Sequence, residues 1–231
     1  MATTPTAPAP TKAQEDPLAY LPCSLIVRYR RGQAIYTQDQ PSTMALYLVL
    51  EGKVKVSRIV GGTQEVIFDI FRPDEFFGES AFLNLSHHGE QATALENTGL
   101  MAWTTTQILD IAAQRPQLAV ALIQVMAQRV VDFSRRLESF SVDNVEQRLI
   151  RSLLRFSERM GHVEEDGSRW VPPMTHELLS QYVGTSREII TFYMNQFRRK
   201  GYLRYSRKGI TLAPNAFENP LAAIAGRSEC V

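Results

Sequence analysis

The sequence predicts an α+β fold in which a β-rich N-terminal half is followed by one long helix and a C-terminal winged helix-turn-helix. First, short apolar runs broken by turn residues recur from Leu25 to about Trp103. Second, apolar residues after Pro116 recur at alternating spacings of four and three. Third, a helical pattern, a glycine and a second helical pattern follow one another between Thr175 and Lys200.

The domain boundaries follow from these changes of pattern. We expect a disordered tail at 1–17, a β-rich domain at 18–115, a dimerisation helix at 116–141, a helix-turn-helix domain at 142–215 and a second tail at 216–231.

Composition limits the possible classes of protein. The 231 residues are 44% hydrophobic and 21% charged, which suits one or two globular domains. No charge-free stretch exceeds the 13 residues from Pro116 to Gln128, so a membrane-spanning helix of about 20 residues is not expected. The N-terminus lacks the basic start and apolar core of a secretory signal. Cys23 and Cys230 are too few for a disulfide framework, so we expect a cytoplasmic protein.

The β-rich half has the turn spacing of a sandwich or barrel. Gly52 lies between two apolar runs, from Tyr47 to Val56, and predicts a first hairpin. Gly61 and Gly62 predict a second hairpin, which joins the runs 57–60 and 64–71. A turn at 72–75 follows, and we expect no long helix before residue 105.

The long helix carries a coiled-coil seam of three heptads. Its seam residues are Ala119, Ile123, Met126, Val130, Phe133, Leu137 and Phe140. A second apolar line of Leu118, Leu122 and Val125 would dock the N-terminal half of the helix on the barrel. We therefore expect a parallel homodimer through the seam; the alternative is that the seam packs against the rest of the same chain. Asp143 or Asn144 is expected to cap the helix that comes next.

The helix-turn-helix pattern predicts which side chains face outward. Thr175 caps the first helix, Gly184 supplies the turn, and Thr185 or Ser186 caps the second helix. The second helix buries a stripe of Ile190, Met194 and Phe197, which places Glu188, Thr191, Phe192 and Asn195 on the opposite face beside Arg187. Arginine can bind guanine, glutamate can accept from cytosine, and threonine or phenylalanine can contact the thymine methyl group in a major groove.

The charge of this segment favours double-stranded DNA as the partner. The stretch from Arg187 to Lys208 contains seven basic residues and one acidic residue, whereas the whole chain has a net charge of only +1. The alternative is an ordinary solvated surface. The predicted DNA-contacting residues are Thr185, Ser186, Arg187, Glu188, Thr191, Phe192, Asn195, Arg198, Arg199 and Lys208.

Two motifs, Phe77-Gly-Glu79 and Val183-Gly-Thr-Ser-Arg-Glu188, together with the long helix, resemble those of the cyclic AMP receptor protein and FNR (Crp/Fnr) superfamily of bacterial transcription regulators. The resemblance covers roughly residues 20 to 212. It implies a cyclic-nucleotide-binding-like β-roll, which is a cupin-like barrel, as the sensor domain. It further implies a homodimer that binds a two-fold operator, RNA polymerase as a partner, no membrane attachment and no enzymatic activity.

The resemblance is incomplete at the effector site. Nucleotide-binding relatives pair a Gly-Glu with a downstream Arg-Ser that holds the phosphate, and here Gly89 and Glu90 stand in those two positions. The residues that correspond to candidate effector contacts are Gly78, Glu79, Ser80, Glu90, Phe133 and Ser134. We therefore expect a small-molecule effector other than cyclic AMP bound in the usual manner, of unknown identity. The alternatives are a regulator without an effector and a sensor of a cyclic mononucleotide or dinucleotide.

Metal and cofactor chemistry finds little support in the sequence. Oxygen sensing by an iron-sulfur cluster needs four thiolates, and only two cysteines are present. His87 and His88 are candidate haem ligands, but adjacent histidines in this segment are more typical of an exposed loop. Their spacing to Glu90 also differs from that of a cupin metal site. We predict no metal site and leave the cofactor unknown.

Overall fold

The computed structural model describes residues 15–37, 45–83 and 89–214, and its N-terminal half is a roll of two antiparallel sheets. The strands are β1 (Ile26–Tyr29), β2 (Ala34–Tyr36), β3 (Ala45–Glu51), β4 (Val54–Val60), β5 (Gln64–Phe71), β6 (Phe76–Phe77), β7 (Gln91–Ala94) and β8 (Thr98–Thr104). One sheet has the order β1-β8-β3-β6 and the other β2-β7-β4-β5. Buried aromatic rings, among them Tyr47 and Phe77 with centroids 5.0 Å apart, fill the space between the sheets.

One of the two predicted hairpins is confirmed and the other is wrong. Strands β4 and β5 pair across Gly61 and Gly62, as predicted. The turn at Gly52 instead carries the chain from one sheet to the other, because β3 pairs with β6 and β8 whereas β4 pairs with β5 and β7. Gly52 has a φ of 82°, and a Cβ there would lie 2.5 Å from the backbone oxygen of Asn97. This corner is too close to the 97–98 turn for any residue with a side chain.

The long helix follows a short one that the sequence did not distinguish. Helix α1 spans Thr105–Gln114 and α2 spans Pro116–Val142. Leu118 is buried against the roll in a cluster that includes Trp103 and Ile108, and Leu122 packs beside it, which confirms the docking line. Among the described residues, no helix is both long and apolar enough to cross a membrane.

The N-terminal tail is shorter than expected. Asp16 caps a 3-10 helix at Pro17–Ala19, and the backbone N–H of Glu15 donates to Oε1 of Gln124 at 2.8 Å. Residues 15–17 are therefore ordered against α2, contrary to the prediction of a disordered 1–17. The predictions for 1–14, for the tail at 216–231, and for His87 and His88 fall outside the described residues.

The C-terminal half is a winged helix-turn-helix. Its elements are α3 (Val145–Met160), β9 (His162–Val163), β10 (Arg169–Val171), α4 (His176–Val183), α5 (Arg187–Arg199), β11 (Leu203–Ser206) and β12 (Gly209–Leu212). Asn144 caps α3 in a capping box with Gln147. The sheet order is β11-β12-β10-β9, and the β11-β12 hairpin is the predicted wing.

The helix-turn-helix domain is docked on the β-roll. Ile67 and Ile70 of β5 belong to the same buried cluster as α4 and α5 residues such as Leu179. Arg136 of α2 joins the two parts, because its guanidinium donates to the backbone oxygens of Ile67 and Phe68 and lies 4.2 Å over the ring of Tyr182. Helices α4 and α5 thus share one buried core with strand β5 of the roll.

Candidate DNA-binding surface and effector site

The turn between α4 and α5 is built from the residues that the sequence singled out. The Thr175 hydroxyl accepts from the N–H of Leu178 at 3.1 Å, and Ser186 is the residue that caps α5. Gly184 has a φ of 73°, and a Cβ there would lie 2.9 Å from the ring of Phe140. Only glycine combines that backbone angle with so close an approach of α2.

The two faces of α5 are sorted as predicted. Ile190, Met194 and Phe197 are buried, with at most 1% of their surface exposed. Arg187, Glu188 and Phe192 are exposed, whereas Thr191 and Asn195 are half-buried. Ile189, which the sequence analysis did not single out, is also exposed. Ile189 precedes Phe192 by three residues, and this spacing could have predicted that the two side chains share the exposed face.

Two polar side chains of the outward face are held by neighbours within the chain. The Thr191 hydroxyl donates to the backbone oxygen of Arg187 at 2.8 Å and lies 2.9 Å from Nδ1 of His176. Oδ1 of Asn195 accepts from the hydroxyl of Tyr205 in the wing at 3.1 Å. These contacts tie α5 to α4 and to the wing.

Two ionisable groups flank the N-terminus of α5. Burial, aided by the charge of Arg187, lowers the pKa of His176 below its ordinary 6.5, so the ring is neutral at physiological pH. Hydrogen bonds from its own backbone N–H and from the Ser186 hydroxyl lower the pKa of Glu188. Glu188 is therefore an ionised acceptor beside the cationic Arg187. In a major groove, Glu188 can accept a hydrogen bond from cytosine and Arg187 can donate hydrogen bonds to guanine.

Basic residues continue from the end of α5 into the wing. Arg198, Arg199 and Lys200 are exposed, and the guanidinium of Arg198 lies 5.5 Å from the ring centroid of Tyr205. In the wing Lys208 is exposed, together with Arg204 and Arg207. At the other end of α5, Ser186 is exposed and the half-buried Thr185 donates its N–H to the backbone oxygen of Ser180. The arrangement can place cations along a phosphate backbone at the C-terminal end of α5 and in the wing.

The candidate effector residues of the roll are already engaged with one another. Glu79 forms an ion pair with Arg129 of α2 at 2.5 Å. The Ser80 hydroxyl donates to Oε1 of Glu90 at 2.6 Å, and the Tyr36 hydroxyl donates to the same oxygen at 3.1 Å. Burial, with the adjacent charge of Glu90, raises the pKa of Tyr36, so its hydroxyl keeps its proton. The hydroxyl groups of Ser80 and Tyr36 therefore already donate their hydrogen bonds to the carboxylate of Glu90.

Arg129 and Tyr36 were missed by the sequence analysis. Arg129 could have been found, because it continues the docking line of Leu118, Leu122 and Val125 at the same alternating spacing. Gly78 has a φ of 88° directly before Glu79. Phe133 and Ser134 lie further along α2, where Phe133 faces Arg136 and the Ser134 hydroxyl donates to the backbone oxygen of Val130.

Comparisons with known proteins agree with this arrangement. The model of the cyclic nucleotide-binding domain matches residues 26–115, and the model of the Crp-like helix-turn-helix domain matches residues 147–216. A CRP-like cAMP-activated global transcriptional regulator of Mycobacterium tuberculosis is 25% identical over 187 residues, which are 81% of this chain and 83% of that protein. The cyclic AMP receptor protein of Thermus thermophilus is 28% identical and is matched over 76% of this chain and 78% of that protein.

A solved structure shares the architecture over most of its length. It is a CRP/FNR-family transcriptional regulator from Thermus thermophilus, 26% identical, with a TM-score of 0.64 over 87% of this chain and 98% of that one.

Proposed function

Because the chain belongs to the Crp/Fnr superfamily of transcription regulators, we propose that two copies of it bind a two-fold DNA operator through their α5 helices. Each α5 would lie in the major groove of one half-site, with the wing on the adjacent phosphates. RNA polymerase at the neighbouring promoter is the proposed protein partner.

The observation that carries this proposal is the composition of the exposed face of α5. Arg187 and Glu188 project at the capped N-terminus of the helix, the end from which helices of this type contact base edges. Arg198 and Arg199 project at the other end, where phosphates would lie. The turn between α4 and α5 contains Thr185 and Ser186. In the proposed complex, both would contact the DNA phosphate backbone of the same half-site.

Selection of bound duplexes from a random pool tests the proposal. The wild-type chain should enrich one sequence with two-fold symmetry, because two identical helices read two identical half-sites. The Arg187→Ala variant should enrich it poorly. Failure of the wild-type chain to enrich any sequence would refute the proposal.

The proposed dimer uses the seam of α2. Ile123, Val130 and Leu137 are 66%, 63% and 69% exposed in the single chain, and Phe133 is 46% exposed beside them. An apolar stripe of this kind on a 27-residue helix is stabilised by a second copy of the same helix. Phe140, at the end of the seam, also packs on Gly184, so the dimer helix and the helix-turn-helix share a contact.

We further propose that the effector of this chain is not cyclic AMP bound in the manner of the named relatives. The carboxylate of Glu90 accepts the hydroxyl hydrogens of Ser80 and Tyr36, and it would repel a phosphate placed there. The ligand of this candidate site, which consists of Gly78, Glu79, Ser80 and Glu90, would carry a hydrogen-bond donor that faces Glu90. An anionic group at that position would be repelled.

Calorimetry with cyclic AMP tests this second proposal. We expect no binding at micromolar concentration by the wild-type chain. Micromolar affinity that is lost in Glu79→Ala would refute it. A thermal-shift panel of nucleotides, including cyclic dinucleotides, then separates an effector-free regulator, which no member stabilises, from a nucleotide sensor.

A further inference from the structure

The exposed face of α5 has an apolar edge beside Glu188, which precedes Phe192 by four residues. Phe192 is 64% exposed and Ile189 is 41% exposed. The two residues are three apart on the helix, so their side chains are neighbours on one side of it. An exposed pair of large apolar side chains on a helix that is otherwise flanked by cations needs an apolar partner.

The ring of Phe192 is held in place from within α5. It meets the ring of Tyr193 edge-on, with centroids 5.2 Å apart and an interplanar angle of 76°. The Tyr193 ring in turn stacks on the buried Phe197 at 6.2 Å. Phe192 is thus supported by a core residue while most of its surface faces outward, which lowers the entropy cost of a contact made by its ring.

The polar residues next to this edge are engaged elsewhere. Thr191 gives its hydroxyl hydrogen to the backbone oxygen of Arg187, and Oδ1 of Asn195 accepts from Tyr205. Of the sequence-predicted base readers after Glu188, Phe192 therefore presents the most accessible surface. After Glu188, the outward face of α5 therefore offers mainly an apolar contact, through Ile189 and Phe192.

We propose that Ile189 and Phe192 read a thymine in each half-site through its C5 methyl group. The inference rests on the proposed DNA binding and adds the base and the chemistry of recognition. The thymine methyl is the apolar group that base edges present in the major groove, and phenylalanine is among the side chains that contact it. The thymine would lie beside the base pair that Glu188 contacts, because Phe192 follows Glu188 by four residues and lies on the same side of the helix.

Replacing thymine by uracil tests the proposal, because it removes the methyl group and leaves every hydrogen-bonding group of the base unchanged. Starting from the selected duplex, each thymine of the half-site is replaced singly by uracil and binding is measured by competition. At one position, the replacement of thymine by uracil should weaken wild-type binding by about fourfold. This factor is equivalent to about 0.8 kcal/mol, the contribution of one buried methyl group. Phe192→Ala should bind the thymine and uracil duplexes equally, and Ile189→Ala should show a reduced difference.

Arg199→Ala is the matched control. It should weaken binding to both duplexes by one common factor and keep the thymine-to-uracil ratio of the wild type, since it removes a phosphate contact only. Phe192 is largely exposed, so its replacement should leave the unfolding midpoint near that of the wild type.

Two results would overturn the inference. One is a wild-type chain for which no thymine of the half-site is sensitive to uracil while Arg187→Ala still weakens specific binding; the DNA-binding proposal would then survive alone. The other is a thymine-to-uracil ratio that persists unchanged in Phe192→Ala. A wild-type chain that selects no duplex at all would overturn both proposals together.

Discussion

Arg187 is the first residue of α5, and its exposed guanidinium stands beside the ionised Glu188. Arg187→Ala should cost about 1–3 kcal/mol on the selected duplex and relax the preferred base at one position, because a bidentate contact to guanine is lost. Arg199→Ala, at the other end of α5, should weaken binding to all sequences alike and reduce the salt dependence. Competition binding against the selected and scrambled duplexes measures both effects. An unchanged base preference in Arg187→Ala would contradict the assignment of α5 as the recognition helix.

His176 makes the anchoring of α5 sensitive to acid. Its pKa in the folded chain is below 6.5, so folding favours the neutral ring. The stability that neutral His176 contributes is present above pH 6.5 and is lost as the pH falls through the folded-state pKa. The thermal midpoint of the wild type should therefore fall further between about pH 7.5 and about pH 5 than that of His176→Asn. Equal losses in the two proteins would show that this ring does not couple folding to pH.

Helix α2 is the element on which the proposed dimer depends. Val130→Glu should yield monomers, because the seam would bury a carboxylate that has no partner. Val131 is the matched control: it is the adjacent valine, it is 45% exposed, and it lies outside the seam. Sedimentation at micromolar concentration should find a dimer for Val131→Glu and a monomer for Val130→Glu. A dimer in both variants would place the interface elsewhere.

How far an element could be predicted depended on whether its signal was local. The cap at Thr175 and the buried stripe of α5 follow from residues within a few positions of each other, and they were predicted. The other two caps were each predicted as one of two neighbours, and the structure selects Asn144 over Asp143 and Ser186 over Thr185. The turn at Gly52 has the local pattern of a hairpin, but whether β3 pairs with β4 is decided by β8 and β6, which are distant in sequence.

The candidate effector site shows the same limit. Gly78, Glu79 and Ser80 were found from a short motif, whereas Tyr36 and Arg129 reach Glu90 and Glu79 from other parts of the chain. The curvature of the roll brings Tyr36 to Glu90, and the docking of α2 brings Arg129 to Glu79. No local pattern specifies such a contact, although the spacing along α2 pointed to Arg129.

At the scale of the whole molecule, ion pairs around the buried Asp69 join the β-roll to the helix-turn-helix domain. Nη1 of Arg159 lies 2.7 Å from Asp69, its Nη2 lies 2.8 Å from Glu75, and Arg155 approaches the same Asp69 at 3.7 Å. The Asp69 side chain is only 12% exposed. These carboxylates raise the pKa of Arg159, which stays charged at the interface. Together with Ile67 and Ile70, this network fixes the two halves of the chain relative to one another.

Asp69→Asn should lower the free energy of unfolding by about 2–4 kcal/mol, because two half-buried guanidinium groups lose the buried carboxylate that they share. Glu51→Gln is the control, since the Arg28–Glu51 pair is exposed; its replacement should change stability by less than about 0.5 kcal/mol. Urea unfolding measures both. Similar small effects in the two variants would mean that the network does not hold the domains together.

The number and spacing of the bound half-sites test the central claim most directly. We expect the complex with the selected duplex to contain two chains per DNA, by sedimentation, with half-sites about 10 base pairs apart. Insertion of about 5 base pairs between the half-sites turns one of them to the opposite side of the duplex and should abolish high-affinity binding. One chain per duplex, with an affinity that the insertion leaves unchanged, would contradict the account.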